Sequence, residues 1–190
     1  MSHHSNDLIM LFNELFLESY QTELIGDGDE PEYIPAVGPD GPARIVFTRD
    51  YFSSALHEIS HWFIAGSSRR SLPDYGYWYC PDGRTNEQQQ AFEQVEIKPQ
   101  ALEWLFSIAA GKTFHLSTDN LSGGGAADAT EFRRQVVNQA DAYITSGLPV
   151  RAAFFHKVLL NFYGTTHRFL DDWNARCDAE PDSVACSVTD

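Results

Sequence analysis

The stretch Ala55-Leu56-His57-Glu58-Ile59-Ser60-His61-Trp62-Phe63-Ile64-Ala65-Gly66 sets two imidazoles four residues apart, with a carboxylate beside the first. Residues four apart on an α-helix share a face, so His57 and His61 can converge on one metal ion, with Glu58 about a quarter turn away. Leu56, Ile59, Trp62 and Phe63 make the same helix largely apolar. A buried helix that carries two imidazoles has to give them partners. The competing reading, chance spacing on a solvated face in a chain with seven histidines, fits those apolar flanks poorly. A fold built around this stretch buries a helix and brings a further ligand to it.

The elements around the motif follow from periodicity and punctuation. Asp50 is placed to cap a helix from about 51 to 65, with Gly66 as its stop. Upstream, Leu8, Leu11, Phe12, Leu15, Phe16 and Tyr20 keep helical spacing from Asp7 to Leu24, and Gly26-Asp27-Gly28-Asp29 ends that helix. An acidic loop through Glu30-Pro31-Glu32 leads to Tyr33-Ile34. Beyond the turn at Gly38-Pro39-Asp40-Gly41-Pro42, the β-branched and aromatic run Ala43 to Thr48 predicts a strand. Downstream, Asp74 to Cys80 is an aromatic strand candidate running into Pro81-Asp82-Gly83. A helical segment from Glu87 to Ala110 carries Phe92, Val95, Leu102, Leu105 and Phe106, and Pro99 predicts a kink or break near Ile97-Lys98. Gly123-Gly124-Gly125 predicts an exposed loop, 130–145 a helix, and 152–163 the last helix. With 43% hydrophobic residues in 190, the expectation is α+β: a single compact domain over 1–176, a small sheet packed with helices, and a polar tail at 177–190 that is disordered.

Charge narrows the partners. Thirteen Lys and Arg against 27 Asp and Glu give a net charge of −14. Phosphate affinity rests on basic side chains, so direct nucleic-acid binding is not expected, and a cationic ligand suits the field better. Cys80, Cys177 and Cys186 leave one thiol over under any internal pairing and show no CxxC spacing, which points to a reducing cytoplasm. The start of the chain lacks a basic region followed by an apolar one, and no run of eighteen apolar residues occurs. Secretion and membrane spanning are therefore not expected.

Two histidines do not complete a metal site. Metzincins place a third histidine further along the same motif, and no histidine stands there in this chain. A carboxylate from a second helix is the other common solution, and Ala91 to Trp104 supplies Glu93, Glu96 and Glu103. Glu96 falls on the stripe of Phe92, Val95, Pro99 and Leu102, Glu93 nearer its polar edge, and Glu103 reads as a surface charge. Glu96 is the first choice. With zinc, such a set activates water, Glu58 serves as base, and the protein is a hydrolase or peptidase. With ferrous iron, the same two-His-one-carboxylate set is that of non-haem oxygenases. Spacing alone favours zinc, and a metal-stabilised binding module is a third reading from a different class.

Four strings taken together, "EISHWFIAG", "YGYWYCPDGR" at 75–84, "FEQVEIKPQALEWLF" at 92–106 and "EPEYIPA" at 30–36, resemble the bacterial elongation factor P hydroxylase family. The similarity extends from the first helix to about Tyr163. It implies a fold similar to a bacterial metal-dependent endoribonuclease, Fe(II) as cofactor and dioxygen as co-substrate. It further implies as partner elongation factor P carrying a β-lysyl-lysine, hydroxylated on that side chain. His57 and His61 match the family's histidines, while Glu93 and Glu96 both stand where it has glutamates. On this reading Glu58 becomes a supporting residue that orients a ligand, or a base. Asp74, Tyr77, Trp78, Asp82 and Glu93 are candidates for receiving a long cationic side chain, through carboxylates that attract it and ring faces that hold an ammonium. Alternating aromatics are more often core and sheet surface, and Cys80 reads as a small buried hydrophobe. Arg69, Arg70 and Arg84 read as solvated charges or as contacts for an acidic partner.

Overall fold

The computed structural model describes residues 2–38, 41–77, 84–117 and 126–178. Among them are six α-helices and one three-stranded sheet: α1 (Ser5–Tyr20), β1 (Thr22–Gly28), β2 (Glu32–Ile34), β3 (Ala43–Thr48), α2 (Phe52–Ile64), α3 (Asn86–Ala109), α4 (Ala126–Ser146), α5 (Val150–Tyr163) and α6 (Phe169–Asp178). Two short 3-10 turns, Arg69–Ser71 and Pro73–Gly76, follow α2. The class is α+β, and the backbone divides into two compact units, 1–78 with 149–158, and 79–148 with 159–190. None of the described helices is long and apolar enough to cross a membrane.

In the first unit the sheet order is β1-β3-β2, with β1 parallel and β2 antiparallel to β3. Thr22, Leu24, Tyr33, Ala43, Ile45 and Phe47 are its buried residues. α1 and α2 pack through rings: Phe12 and Phe16 stand 5.1 and 5.2 Å from Trp62, and Phe155 of α5 lies 5.6 Å from Phe63. Each such side chain hides a large apolar area, and the edge-on Phe12–Trp62 pair suits the ring quadrupoles. The metal-motif helix is thereby locked by its apolar face, with Leu56, Ile59 and Trp62 fully buried.

Three expectations for this unit need correction. The first helix stops at Tyr20, where Gln21 turns left-handed with φ 46°, and Thr22 to Gly28 form a strand. Gly26 and Gly28 therefore do not end a helix. They sit where the β1–β3 register shifts, and a Cβ on Gly28 would come within 2.6 Å of the Val46 side chain. A seven-residue strand next to a helix carries too little alternation to stand apart from helical spacing. Second, Asp50 caps nothing: α2 begins after Tyr51 with no side-chain cap, and it ends because Ala65, not Gly66, turns extended. Third, the aromatic strand candidate is not a strand over its described part. Pro73–Gly76 is a tight turn in which Asp74, Tyr75 and Gly76 all have positive φ, at 45°, 58° and 72°. Residues 78–83, with Trp78, Cys80 and Asp82, lie outside the described residues.

The second unit is built on α3. Its start is a capping box, with the Gln88 N–H donating to Thr85 Oγ1 and the Thr85 N–H to Gln88 Oε1. Pro99 does not break it: the helix runs unbroken from Asn86 to Ala109 with the proline buried. Leu102, Leu105 and Phe106 are fully buried. Glu103, expected at the surface, is only 8% exposed. α6, absent from the sequence expectation, packs Trp173 at 5.1 Å from Trp104, and its indole N–H donates to Asp141 Oδ1 of α4. The loop behind α3 is tied by Gln100, which donates to the Ser117 carbonyl and accepts from the Ser117 N–H. The glycine run at 123–125 and residues 179–190 of the expected tail lie outside the described residues.

Candidate metal centre

His57 and His61 stand half-buried on one face of α2, their Nε2 atoms 3.1 Å apart and their rings at 73°. Ser60 between them turns its hydroxyl back onto the Leu56 carbonyl, so it does not compete for the imidazoles. The end of α2 is held by cations. Arg151 Nη2 donates to the carbonyls of Trp62, Phe63 and Ala65 at 3.1, 3.2 and 3.0 Å, and Arg70 donates to Ala65. The last carbonyls of a helix have no partners within it, and the negative end of its dipole favours a guanidinium there. Burial, with Arg70 close by, lowers the Arg151 guanidinium to about 10, which leaves it charged at neutral pH. Its carbon also sits 4.3 Å above the Trp62 ring. Arg151→Met keeps the stem and strips the donors, so it should destabilise the protein by about 2 kcal/mol in urea melts. A change below about 0.5 kcal/mol would show that water serves those carbonyls equally well. No sequence pattern announces Arg151, which is 86 residues from Ala65.

Glu96 sits on α3, 2% exposed, with Oε2 3.4 Å from Gln100 Nε2. One ligand atom from each of His57, His61 and Glu96 can be chosen so that all lie within 4.8 Å of one another. The donor set suits a metal ion: two neutral imidazoles and a buried carboxylate leave one compensated charge. The imidazole spacing also fits. Metal–nitrogen bonds of about 2.1 Å put two ligand nitrogens about 3.0 Å apart at a right angle and about 3.4 Å at the tetrahedral angle, against the observed 3.1 Å.

The other candidates fall elsewhere. Glu93 is half-buried and accepts a hydrogen bond from Gln89. Glu58 is half-buried beside His57. Asp74 is exposed, but its carboxylate accepts the Tyr33 N–H at 2.8 Å, a structural task. Tyr77 offers its ring to Arg69, whose guanidinium carbon lies 4.2 Å from the ring centre. Arg69, Arg70 and Arg84 are not free solvated charges: Arg84 is 9% exposed and lies 3.9 Å over Phe92, and the other two bond backbone carbonyls. The alternation of aromatics at 75–77 concealed this division of labour, because spacing cannot tell a ring that packs from one that receives a ligand.

An α+β chain with a buried helix presenting two imidazoles, and a buried glutamate within reach, defines a candidate single-metal protein of the two-His-one-carboxylate kind. The family model described as elongation factor P hydroxylase matches residues 11–173. The elongation factor P lysine hydroxylase of Haemophilus influenzae is 48% identical over 165 residues, 87% of this chain and 92% of that protein. The chain belongs to the elongation factor P hydroxylase family. The match continues past Tyr163 into α6, further than the sequence strings suggested.

Proposed function

We propose that this protein hydroxylates a lysine side chain of elongation factor P, one already extended by a β-lysyl group, using Fe(II) held by His57, His61 and Glu96 and dioxygen as co-substrate. The observation that carries the reading is the grouping of those three ligand atoms within 4.8 Å, in a chain 48% identical to a protein named elongation factor P lysine hydroxylase. Fe(II) in such a set would supply the redox chemistry by which dioxygen hydroxylates an unactivated carbon. The protein's own residues do the rest. The two Nε2 atoms lie 3.1 Å apart, and α2 keeps them at a spacing one ion can bridge. Burial of Glu96 keeps water from competing for its oxygens. Glu58 is not needed as a hydrolytic base and orients a ligand or an imidazole, a role that typically tunes such sites.

The acidic surface attracts the cationic side chain, and Asp74, Tyr77, Trp78, Asp82 and Glu93 are the residues proposed to receive it. In this reading residues 1–176 act as one hydroxylase domain in the cytoplasm, with a fold akin to that of a metal-dependent endoribonuclease. The test is single-turnover chemistry. Metal-free protein loaded with Fe(II) under nitrogen, mixed with β-lysylated elongation factor P and ascorbate as two-electron reductant and then exposed to air, should add one oxygen atom to the modified lysine, the other leaving as water, by intact-mass and peptide analysis. The reading fails if correctly folded, iron-loaded protein leaves the lysine unchanged. It also fails if zinc supports a peptidase activity that Glu58→Gln abolishes.

A further inference from the structure

Tyr75 is 4% exposed, and its hydroxyl has no hydrogen-bond partner among the described residues. Burying a phenol in that way is costly and calls for a reason. Its ring lies parallel to two others, Tyr33 at 4.2 Å and 16°, and His61 at 6.3 Å and 11°. The backbone beneath it is held in a conformation that a tyrosine rarely adopts. Asp74 and Tyr75 are both left-handed, at φ 45° and 58°. Aspartate tolerates that region, whereas a bulky side chain does not adopt it unless its surroundings impose it.

The surroundings do impose it. The Tyr33 N–H donates to Asp74 Oδ1, the Tyr33 hydroxyl to the Arg70 carbonyl, and Arg69 Nη1 to the Tyr75 carbonyl. The Tyr75 N–H closes on Leu72, and the Tyr77 N–H on Asp74. Five hydrogen bonds thus fix the position of one phenol against a proposed metal ligand, while that phenol's own hydrogen is left to bond something else.

We propose that Tyr75 is a hydrogen-bond donor of the active site: its hydroxyl holds a small oxygen-bearing ligand beside His61. A phenol ordinarily keeps its proton at neutral pH, so the hydroxyl is available as a donor. A donor at the buried end of that ring suits a ligand that presents an acceptor oxygen, as a water or an alcohol does. A hydroxylated side chain is such a ligand. This inference rests on the metal-centre reading above.

Acetohydroxamic acid, which carries a carbonyl acceptor with O–H and N–H donors, is a probe of that pattern. It is titrated into Co(II)-loaded protein and followed by the visible absorption of the metal. Wild type and Tyr75→Phe should take up equal Co(II) and melt at similar temperatures, while the variant binds the probe about tenfold more weakly, the loss of about one net hydrogen bond. Tyr33→Phe, which keeps the stack but removes the bond to Arg70, should melt lower and bind the probe as wild type does. Equal probe affinity in Tyr75→Phe overturns the proposal. So does a matching loss in Tyr33→Phe, since the stack and not the hydroxyl would then be responsible. A large drop in the melting temperature of Tyr75→Phe also overturns it, because the hydroxyl would have a structural partner. If wild type takes up no Co(II), the metal-centre reading fails, and the Tyr75 assignment fails with it.

Discussion

Glu96→Gln should lose hydroxylation by more than about a hundredfold and bind metal far more weakly, while Glu93→Gln keeps its metal. Groups that merely orient a metal ligand typically contribute about 10- to 100-fold in affinity or activity, and removing a ligand should exceed that range. The glutamine preserves size and can still meet Gln100, which stands 3.4 Å from the carboxylate. The effect of the change is therefore one of charge and donor type and not of packing. A buried carboxylate facing two neutral imidazoles compensates the ion, and an amide oxygen cannot. His57→Ala and His61→Ala should behave in the same way, each leaving one nitrogen of a pair now 3.1 Å apart. The measurements are metal content after dialysis and single-turnover hydroxylation. The ligand set is wrong if Glu96→Gln retains a full equivalent of metal, or if Glu93→Gln and not Glu96→Gln abolishes binding.

The second large effect is on stability against pH. His156 of α5 is 9% exposed, and burial pushes its imidazole down from 6.5 to about 4. Above pH 6.5 the residue is neutral both folded and unfolded, and its contribution is constant. As pH falls below that, the unfolded chain takes up a proton that the folded chain refuses, so stability drops. The loss is complete near pH 4, where the folded protein protonates as well. A gap of that size is worth about 3 kcal/mol. Urea melts of metal-free protein should therefore show stability declining between about pH 6.5 and pH 4.5, with the decline largely removed in His156→Leu. Metal-free protein is required because His57 and His61 would otherwise add a proton-linked metal loss in the same window. Glu131, held at about 2 by Arg134, contributes only at lower pH. An unchanged slope in His156→Leu would place the titrating group elsewhere.

What could be read before folding and what could not divides along physical lines. α2 and α3 were legible because long apolar stripes at helical spacing leave few alternatives, and the boundaries agree to within a residue or so. β3 was legible from its β-branched run. β1 was not, since seven residues following a helix without a proline between them can continue its periodicity. α6 was missed because its sequence is largely acidic and polar, and among its described side chains only Phe169 and Trp173 are buried. Pro99 shows the opposite case, in which a local rule yields to context: burial within α3 offsets the lost backbone donor, and the helix runs on.

For the site, the two histidines were evident because both ligands lie within one helical turn, where spacing is geometry. Glu96 could be ranked above Glu93 by its place on the apolar stripe, but only the folded chain shows which carboxylate comes within 4.8 Å of the imidazoles. The guanidinium that closes the end of α2 left no mark in the sequence, and the phenol that lies against His61 stood out only as one of a block of aromatics with Tyr77, Trp78 and Tyr79, candidates to line a channel. The sequence by itself determined the local matters: the helix that must be buried, the pair of imidazoles on its face, the acidic charge and the family. Tertiary structure alone decided how distant segments combine: Arg151 on the carbonyls of α2, and Asp74 and Tyr75 in left-handed conformations. The reason is that periodicity encodes the face a residue occupies on its own element, whereas contacts between elements depend on packing that no single stretch contains.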